Sequence, residues 1–255
     1  MFLPKKDFEF NLLNIENYNL HPRMNFFKNF FQQNSTINGD YFEFGVFKGS
    51  SLIPVALLFK KFGIKKKVYG FDSFEGFPSY HKYDDFKNFK KLFKKKSISI
   101  SHYKDIKSFS NIKKFLAKIE KKNNFFNPKS ISSSKDFSDN SYLNLKRKIK
   151  FLNLDNISLI KGNFEKTVPN FFKKNPHQKI FTANIDCDLY NSYKIVLDYS
   201  WERLSNKGII YLDEYYSLKF PGAKIATDLF LKKNKIKLKK IKTWKTDFER
   251  WYIKK

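Results

Sequence analysis

The run Tyr41-Phe42-Glu43-Phe44-Gly45-Val46-Phe47-Lys48-Gly49 joins a β-rich stretch to a glycine-punctuated turn, and a helical pattern from about Ser51 to Phe62 follows it. A strand that feeds a helix in this way opens a parallel sheet, because the chain must cross back before the next parallel strand can pair. Pro54 is tolerated in the first turn of the helix, where amides lack intrahelical partners, and Gly63 supplies a stop.

Outward from this unit the alternation recurs. Strands are predicted at 67–72, 157–160, 180–185 and 208–212, and Tyr193, Val196, Leu197, Trp201 and Leu204 mark a covering helix by their spacing. A further helix is predicted near 223–232, and closing strands at 236–241 and 250–253 are separated by a turn that suits an antiparallel hairpin. The pattern predicts an α/β fold: a Rossmann-like, seven-stranded, mostly parallel sheet with helices on both faces and an antiparallel closing strand. Residues 1–38 read as an N-terminal extension with a Phe-rich helix around Asn25 to Gln33, packed on the sheet or serving as a lid for a domain at 39–255. From about His81 to Asn140 the chain is rich in Lys, Ser and Asn, which predicts an insertion that is mobile in part.

Composition narrows the class. With 255 residues and 41% hydrophobic side chains a sizeable core is expected, and 31 Phe and 14 Tyr require that rings build much of it. The net charge of +27 would ordinarily suggest nucleic acid or an anionic membrane. Lys, Phe, Asn, Ile and Tyr share AT-rich codons, however, so a biased coding sequence explains their joint excess without such a partner. The single Cys187 excludes an internal disulfide, the opening Met1-Phe2-Leu3-Pro4-Lys5-Lys6-Asp7 lacks the apolar run of a secretory signal, and no stretch reaches the roughly 18 apolar residues of a membrane span. A cytoplasmic protein is therefore expected. His81, His102 and His177 read as surface residues, with His81 a candidate for lining an acceptor site.

Gly45 and Gly49 stand where a backbone must approach a ligand closely and where the next helix offers unpaired N–H groups. Asp72, ending the second strand, suits ribose hydroxyls, or else caps a turn. The acids of Asn184-Ile185-Asp186-Cys187-Asp188-Leu189-Tyr190 and Leu212-Asp213-Glu214-Tyr215 each end an apolar strand, and ends of adjacent parallel strands are neighbours in space. Gathered carboxylates repel, by roughly 4 kcal/mol per pair at about 4 Å and an effective dielectric near 20, and a hard divalent cation such as Mg²⁺ relieves this. The alternative is that Asp188 caps the following helix and the other acids are solvated.

These motifs and their intervals resemble the macrocin O-methyltransferase (TylF/MycF-like) family of class I methyltransferases. The resemblance runs from about Gly39 to Phe230, through Phe42-Glu43-Phe44-Gly45-Val46-Phe47-Lys48-Gly49-Ser50-Ser51, Phe71-Asp72-Ser73-Phe74-Glu75-Gly76-Phe77-Pro78 and Lys161-Gly162-Asn163-Phe164. It continues through Ile185-Asp186-Cys187-Asp188-Leu189-Tyr190-Asn191-Ser192, Asp213-Glu214-Tyr215 and Pro221-Gly222-Ala223-Lys224. It implies S-adenosylmethionine as methyl donor, Mg²⁺ or a similar divalent cation as cofactor, and a sugar or glycoside hydroxyl as acceptor. Residue by residue it implies cofactor contacts from Glu43, Gly45, Phe47, Gly49, Ser50, Asp72, Ser73, Gly162, Asn163, Phe164 and Asp186. The metal ligands it implies are Asp186, Asp213 and Glu214, with Asp188 as general base. Where the family usually has two aspartates, this chain has Asp213-Glu214, and its stretch between Pro78 and the third strand is longer than usual. Other readings stay open at this point: an RNA methyltransferase using the basic surface, a non-catalytic scaffold on the same fold, a catechol-like acceptor, and a homo-oligomer.

Overall fold

The structure is a computed structural model and describes residues 3–121, 126–242 and 248–255. Five strands, β1 (Asp40–Phe44), β2 (Val68–Asp72), β3 (Ile157–Lys161), β4 (Ile180–Ile185) and β5 (Leu204–Leu212), run parallel. With β6 (Lys239–Lys240) and β7 (Trp251–Lys254) they form one sheet in the order β3-β2-β1-β4-β5-β7-β6, and β7 is antiparallel to both of its neighbours. The expected seven-stranded sheet is present, with two differences in length. Strand β5 starts at Leu204, not Gly208, and its added residues bulge where the pairing with β4 shifts register, Ile180 facing Leu204 and Thr182 facing Ile209. Only two residues of the expected 236–241 strand pair as β6, and the turn expected after it lies largely at 243–247, outside the described residues.

Helices cover both faces. On one side α1 (Asp7–Leu13), α2 (Pro22–Asn34), α3 (Leu52–Lys61) and α7 (Tyr142–Phe151) pack against Tyr41, Phe181 and Tyr211. On the other α8 (Phe164–Lys174), α9 (Tyr190–Arg203) and α10 (Pro221–Asn234) pack against Phe42, Phe44 and Phe71. Alternate residues of β1 therefore serve opposite cores, as the pleat of a strand requires. Rings dominate both layers: Phe31 meets Phe59 at 4.9 Å, Phe27 meets Tyr211 at 5.1 Å, and Phe44 meets Phe71 at 5.1 Å. Edge-on and offset contacts of this kind each add about 0.5–1.5 kcal/mol beyond area burial.

The 81–140 stretch carries more regular structure than its composition suggests. It holds a 3₁₀ turn (Lys82–Asp84), α4 (Asn88–Lys94), the 20-residue α5 (Ile100–Ile119) and α6 (Pro128–Ile131). Ser99 caps α5 by accepting from the His102 amide at 3.1 Å, and Ile98 and Ile106 bury against Phe89 and Leu92. His102, expected at the surface, is 5% exposed with its ring 4.4 Å from Tyr216, because it falls on the inward face of that amphipathic helix.

Candidate active site

Each functional loop leaves the sheet at the carboxyl end of a strand. Backbone hydrogen bonds continue the ladder one residue past the strands: Gly45 N–H donates to Phe71, Asp186 N–H to Phe44 and Gly162 N–H to Asp72, each at 2.9 Å, and Asp213 N–H donates to Ile185 at 3.1 Å. The first loop residues are thereby placed side by side across the β1/β4 switch point, where open α/β sheets bind ligands. The Tyr193 hydroxyl ties the two acidic ends together, donating to the Ile185 carbonyl and accepting from the Glu214 N–H, both at 2.9 Å.

A cleft opens there. Of the residues implied by resemblance, Gly45, Phe47, Ser50, Asp72, Ser73, Gly162, Asn163, Phe164, Asp186 and Asp188 line it. Gly45 has φ +92°, and a Cβ on it would lie 1.8 Å from the Asp186 carbonyl oxygen, so only glycine fits between β1 and β4. Asp72 accepts from the Val46 and Phe47 amides at 2.8 Å and from the Phe74 amide at 2.7 Å. It therefore caps two turns and retains one of about four acceptor sites for a ligand hydroxyl. Asn163 caps α8 through the Glu165 amide at 2.8 Å.

Glu43 and Gly49 lie off the cleft wall. Glu43 is fully buried below it, accepting from Tyr41 Oη at 2.7 Å, Ser51 Oγ at 2.9 Å and Asn184 Nδ2 at 3.1 Å; burial pushes its carboxyl up to about 7 against those hydrogen bonds. It supports the loop through Ser51, which does face the cleft. Gly49 turns toward α7, where a Cβ would lie 2.6 Å from Leu145 Cδ1. His81 caps the 3₁₀ turn and stacks on Tyr190 at 4.6 Å, beyond the cleft lining. Phe77, Phe137, Asn140 and Ser192 also line the cleft but were not singled out from sequence. Phe137 packs on Phe47 and Phe77, each at 5.3 Å, so the 81–140 region supplies one wall.

The four acids separate into two groups. One oxygen from each of Asp186, Asp188 and Glu214 lies within 4.8 Å of the others. Burial pushes all three carboxyls above the usual range, and neighbouring carboxylates add to it: Asp213 for Asp186 and Glu214, and Glu214 for Asp188. Asp213 instead faces arginines: its Oδ1 is 3.2 Å from Arg23 Nη1 and 3.3 Å from Arg250 Nε. Burial opposes its ionisation, but Arg250 and Arg23 outweigh that and hold its carboxyl low. Arg23 also reaches Asp186 Oδ2 at 2.7 Å and pairs with Glu16, whose own amide donates to the Ser50 carbonyl, in the loop after β1, at 2.8 Å. Neither arginine was singled out from sequence, since the Arg23 contacts span 163 and 190 residues and leave no local pattern.

The donor set fits a hard cation. Its three groups all offer carboxylate oxygens, and Oε2 of Glu214 is buried without a hydrogen-bond partner.

A sheet in this order with an acidic cleft at its switch point is the architecture of a Rossmann-like methyltransferase. The chain belongs to the macrocin-O-methyltransferase (TylF) family, whose model matches residues 21–127 and 141–250, and it is accordingly an O-methyltransferase. Among solved structures it is similar to CalS11, a calicheamicin methyltransferase, with 20% identity, TM-score 0.62, and 92% of this chain and 80% of that one covered. An apo structure of the same protein, described as a TDP-rhamnose 3'-O-methyltransferase, gives TM-score 0.53 at 20% identity, covering 92% and 81%. The O-methyltransferase NovP gives 0.59 at 18% identity, covering 89% and 78%. An O-methyltransferase from Bacillus cereus in complex with SAH gives 0.54 at 12%, covering 99% and 93%. No curated protein sequence matches the chain.

Proposed function

We propose that the protein transfers the methyl group of S-adenosylmethionine to a hydroxyl of a sugar or glycoside, with a divalent cation at the acidic cluster. One observation carries this reading: Asp186 and Asp188 belong both to the acidic cluster and to the wall of the cleft that Gly45 and Asp72 shape. CalS11, described as acting on TDP-rhamnose, and the Bacillus enzyme in complex with SAH support the acceptor class and the donor.

When bound, S-adenosylmethionine supplies an electrophilic methyl group and the cation supplies Lewis-acid polarisation of the acceptor oxygen. The rest falls to this chain. Gly45 lets the donor lie against the backbone, and the free acceptor site of Asp72 takes a ribose hydroxyl. Phe47, Phe77 and Phe137 form an apolar wall that excludes water. Asp186 and Glu214 would hold the cation. Asp188 accepts the hydroxyl proton, a task for which an ordinary carboxylate of pKa about 3.9 is a weak base without help from the site.

Calorimetric titration with S-adenosylhomocysteine tests the donor half. Saturable binding is expected, at least tenfold weaker in Asp72→Ala; a chain that takes up no S-adenosylhomocysteine contradicts the reading.

A further inference from the structure

We infer that the third carboxylate holding the cation is Asp188, and that Asp213 is withheld from the ion as the shared counter-charge of Arg23 and Arg250. The inference rests on the cation reading above and departs from the ligand set implied by resemblance, which places Asp213 on the ion and leaves Asp188 as base alone.

Two guanidinium groups converge on a single oxygen, Asp213 Oδ1, from Arg23 Nη1 at 3.2 Å and from Arg250 Nε at 3.3 Å. All three side chains are buried, with 6–7% of each residue exposed, so these pairs cannot be exchanged for water without leaving charge stranded. A divalent ion drawn to Asp213 would have to displace two buried guanidiniums or sit against them. Asp186 meets one of these guanidiniums, with its Oδ2 2.7 Å from Arg23 Nη1. Asp186, Asp188 and Glu214 bring three oxygens within 4.8 Å of one another. Glu214 is 8% exposed, and its Oε2 has no hydrogen-bond partner. A carboxylate oxygen buried without a donor costs stability unless something positive meets it, and Glu214 belongs to the group of three. The extra methylene of Glu214 has a consequence here: its carboxylate reaches Asp186 and Asp188, while its neighbour Asp213 serves the arginines.

The chemistry follows from the arrangement. A carboxylate that binds a cation through one oxygen keeps a second oxygen, so Asp188 can ligate and still accept the acceptor's proton. Arg23 is a positioning residue, fixing Asp186 Oδ2 at 2.7 Å on the edge of the cluster.

Mn²⁺ serves as the probe, read by its electron paramagnetic resonance in solution and by anomalous scattering in crystals of the full chain. The anomalous peak is expected against Asp186, Asp188 and Glu214. In solution Asp188→Asn should weaken Mn²⁺ binding at least tenfold. The charge-balanced double variant Asp213→Asn/Arg250→Gln should stay within about threefold of wild type, because it removes one charge of each sign. If that variant fails to fold by circular dichroism, the single variant Asp213→Asn, with both arginines kept, is the second test and should likewise stay within about threefold. A peak bonded to Asp213, or a tenfold loss in a folded Asp213 variant with Asp188→Asn unaffected, overturns the inference while leaving the cation reading intact. Wild-type chain that binds no Mn²⁺ at millimolar concentration overturns both.

Discussion

Arg23 Nη1, on a helix that precedes the first strand, lies 2.7 Å from Asp186 Oδ2 at the end of the fourth. The same guanidinium pairs with Glu16 and Asp213, so one side chain links the N-terminal segment to both acidic strand ends. Arg23→Met would leave three acids short of their partner. Removal of one partner from a buried ion pair costs about 3–5 kcal/mol, and a loss of that size is expected in urea unfolding. A loss under about 1 kcal/mol would show that the link does not hold the fold.

Gly45→Ala should damage the cleft at the β1/β4 switch point without touching its charges. The added Cβ would lie 1.8 Å from the Asp186 carbonyl, on a backbone with φ +92°. The β1 and β4 loops must part to admit it. At least a tenfold loss of S-adenosylhomocysteine affinity by calorimetry is expected, together with a lowered thermal midpoint; unchanged affinity would place the ligand elsewhere.

Much of this was legible in the sequence, for reasons that particular residues show. The strand positions followed from short β-rich runs, and the acids at 186, 188, 213 and 214 were found because strand ends are neighbours in a parallel sheet. How those acids divide was not legible. The division depends on Arg23, 163 residues from Asp186, and on Arg250, 37 residues from Asp213. Glu43 reads as a ligand contact from its motif, but its place under the loop is set by Tyr41, Ser51 and Asn184 closing around it. The 81–140 helices were hidden because Lys-, Ser- and Asn-rich surfaces mask sparse core positions such as Ile98 and Ile106.

Two buried groups should give stability opposite pH dependences. Burial raises the Glu43 carboxyl from 4.5 to about 7, so its contribution is present below about pH 4.5 and lost as pH rises through 7. Burial lowers the His102 imidazole from 6.5 to about 4, so its contribution is present above pH 6.5 and lost as pH falls through 4. Relative to wild type, Glu43→Gln should gain roughly 3 kcal/mol between pH 4.5 and 7, and His102→Gln should gain a similar amount between pH 6.5 and 4. Urea unfolding across pH 4–8 reads both. Parallel profiles for wild type and a variant would mean that the replaced group does not titrate as described.

Asp188→Asn should separate chemistry from binding. The amide keeps the shape of the side chain but accepts no proton, so turnover should fall at least a hundredfold while S-adenosylhomocysteine affinity stays within a few-fold. Retained turnover would remove Asp188 from the role of proton acceptor.

The most direct measurement is methyl transfer itself. The full chain, incubated with methyl-labelled S-adenosylmethionine and a panel of nucleotide-sugars and glycosides, with and without chelator, should place the label on a sugar hydroxyl oxygen and lose that activity when divalent ions are removed. Label found on RNA in place of every sugar, or no transfer to any sugar with S-adenosylmethionine bound, would contradict the proposed function.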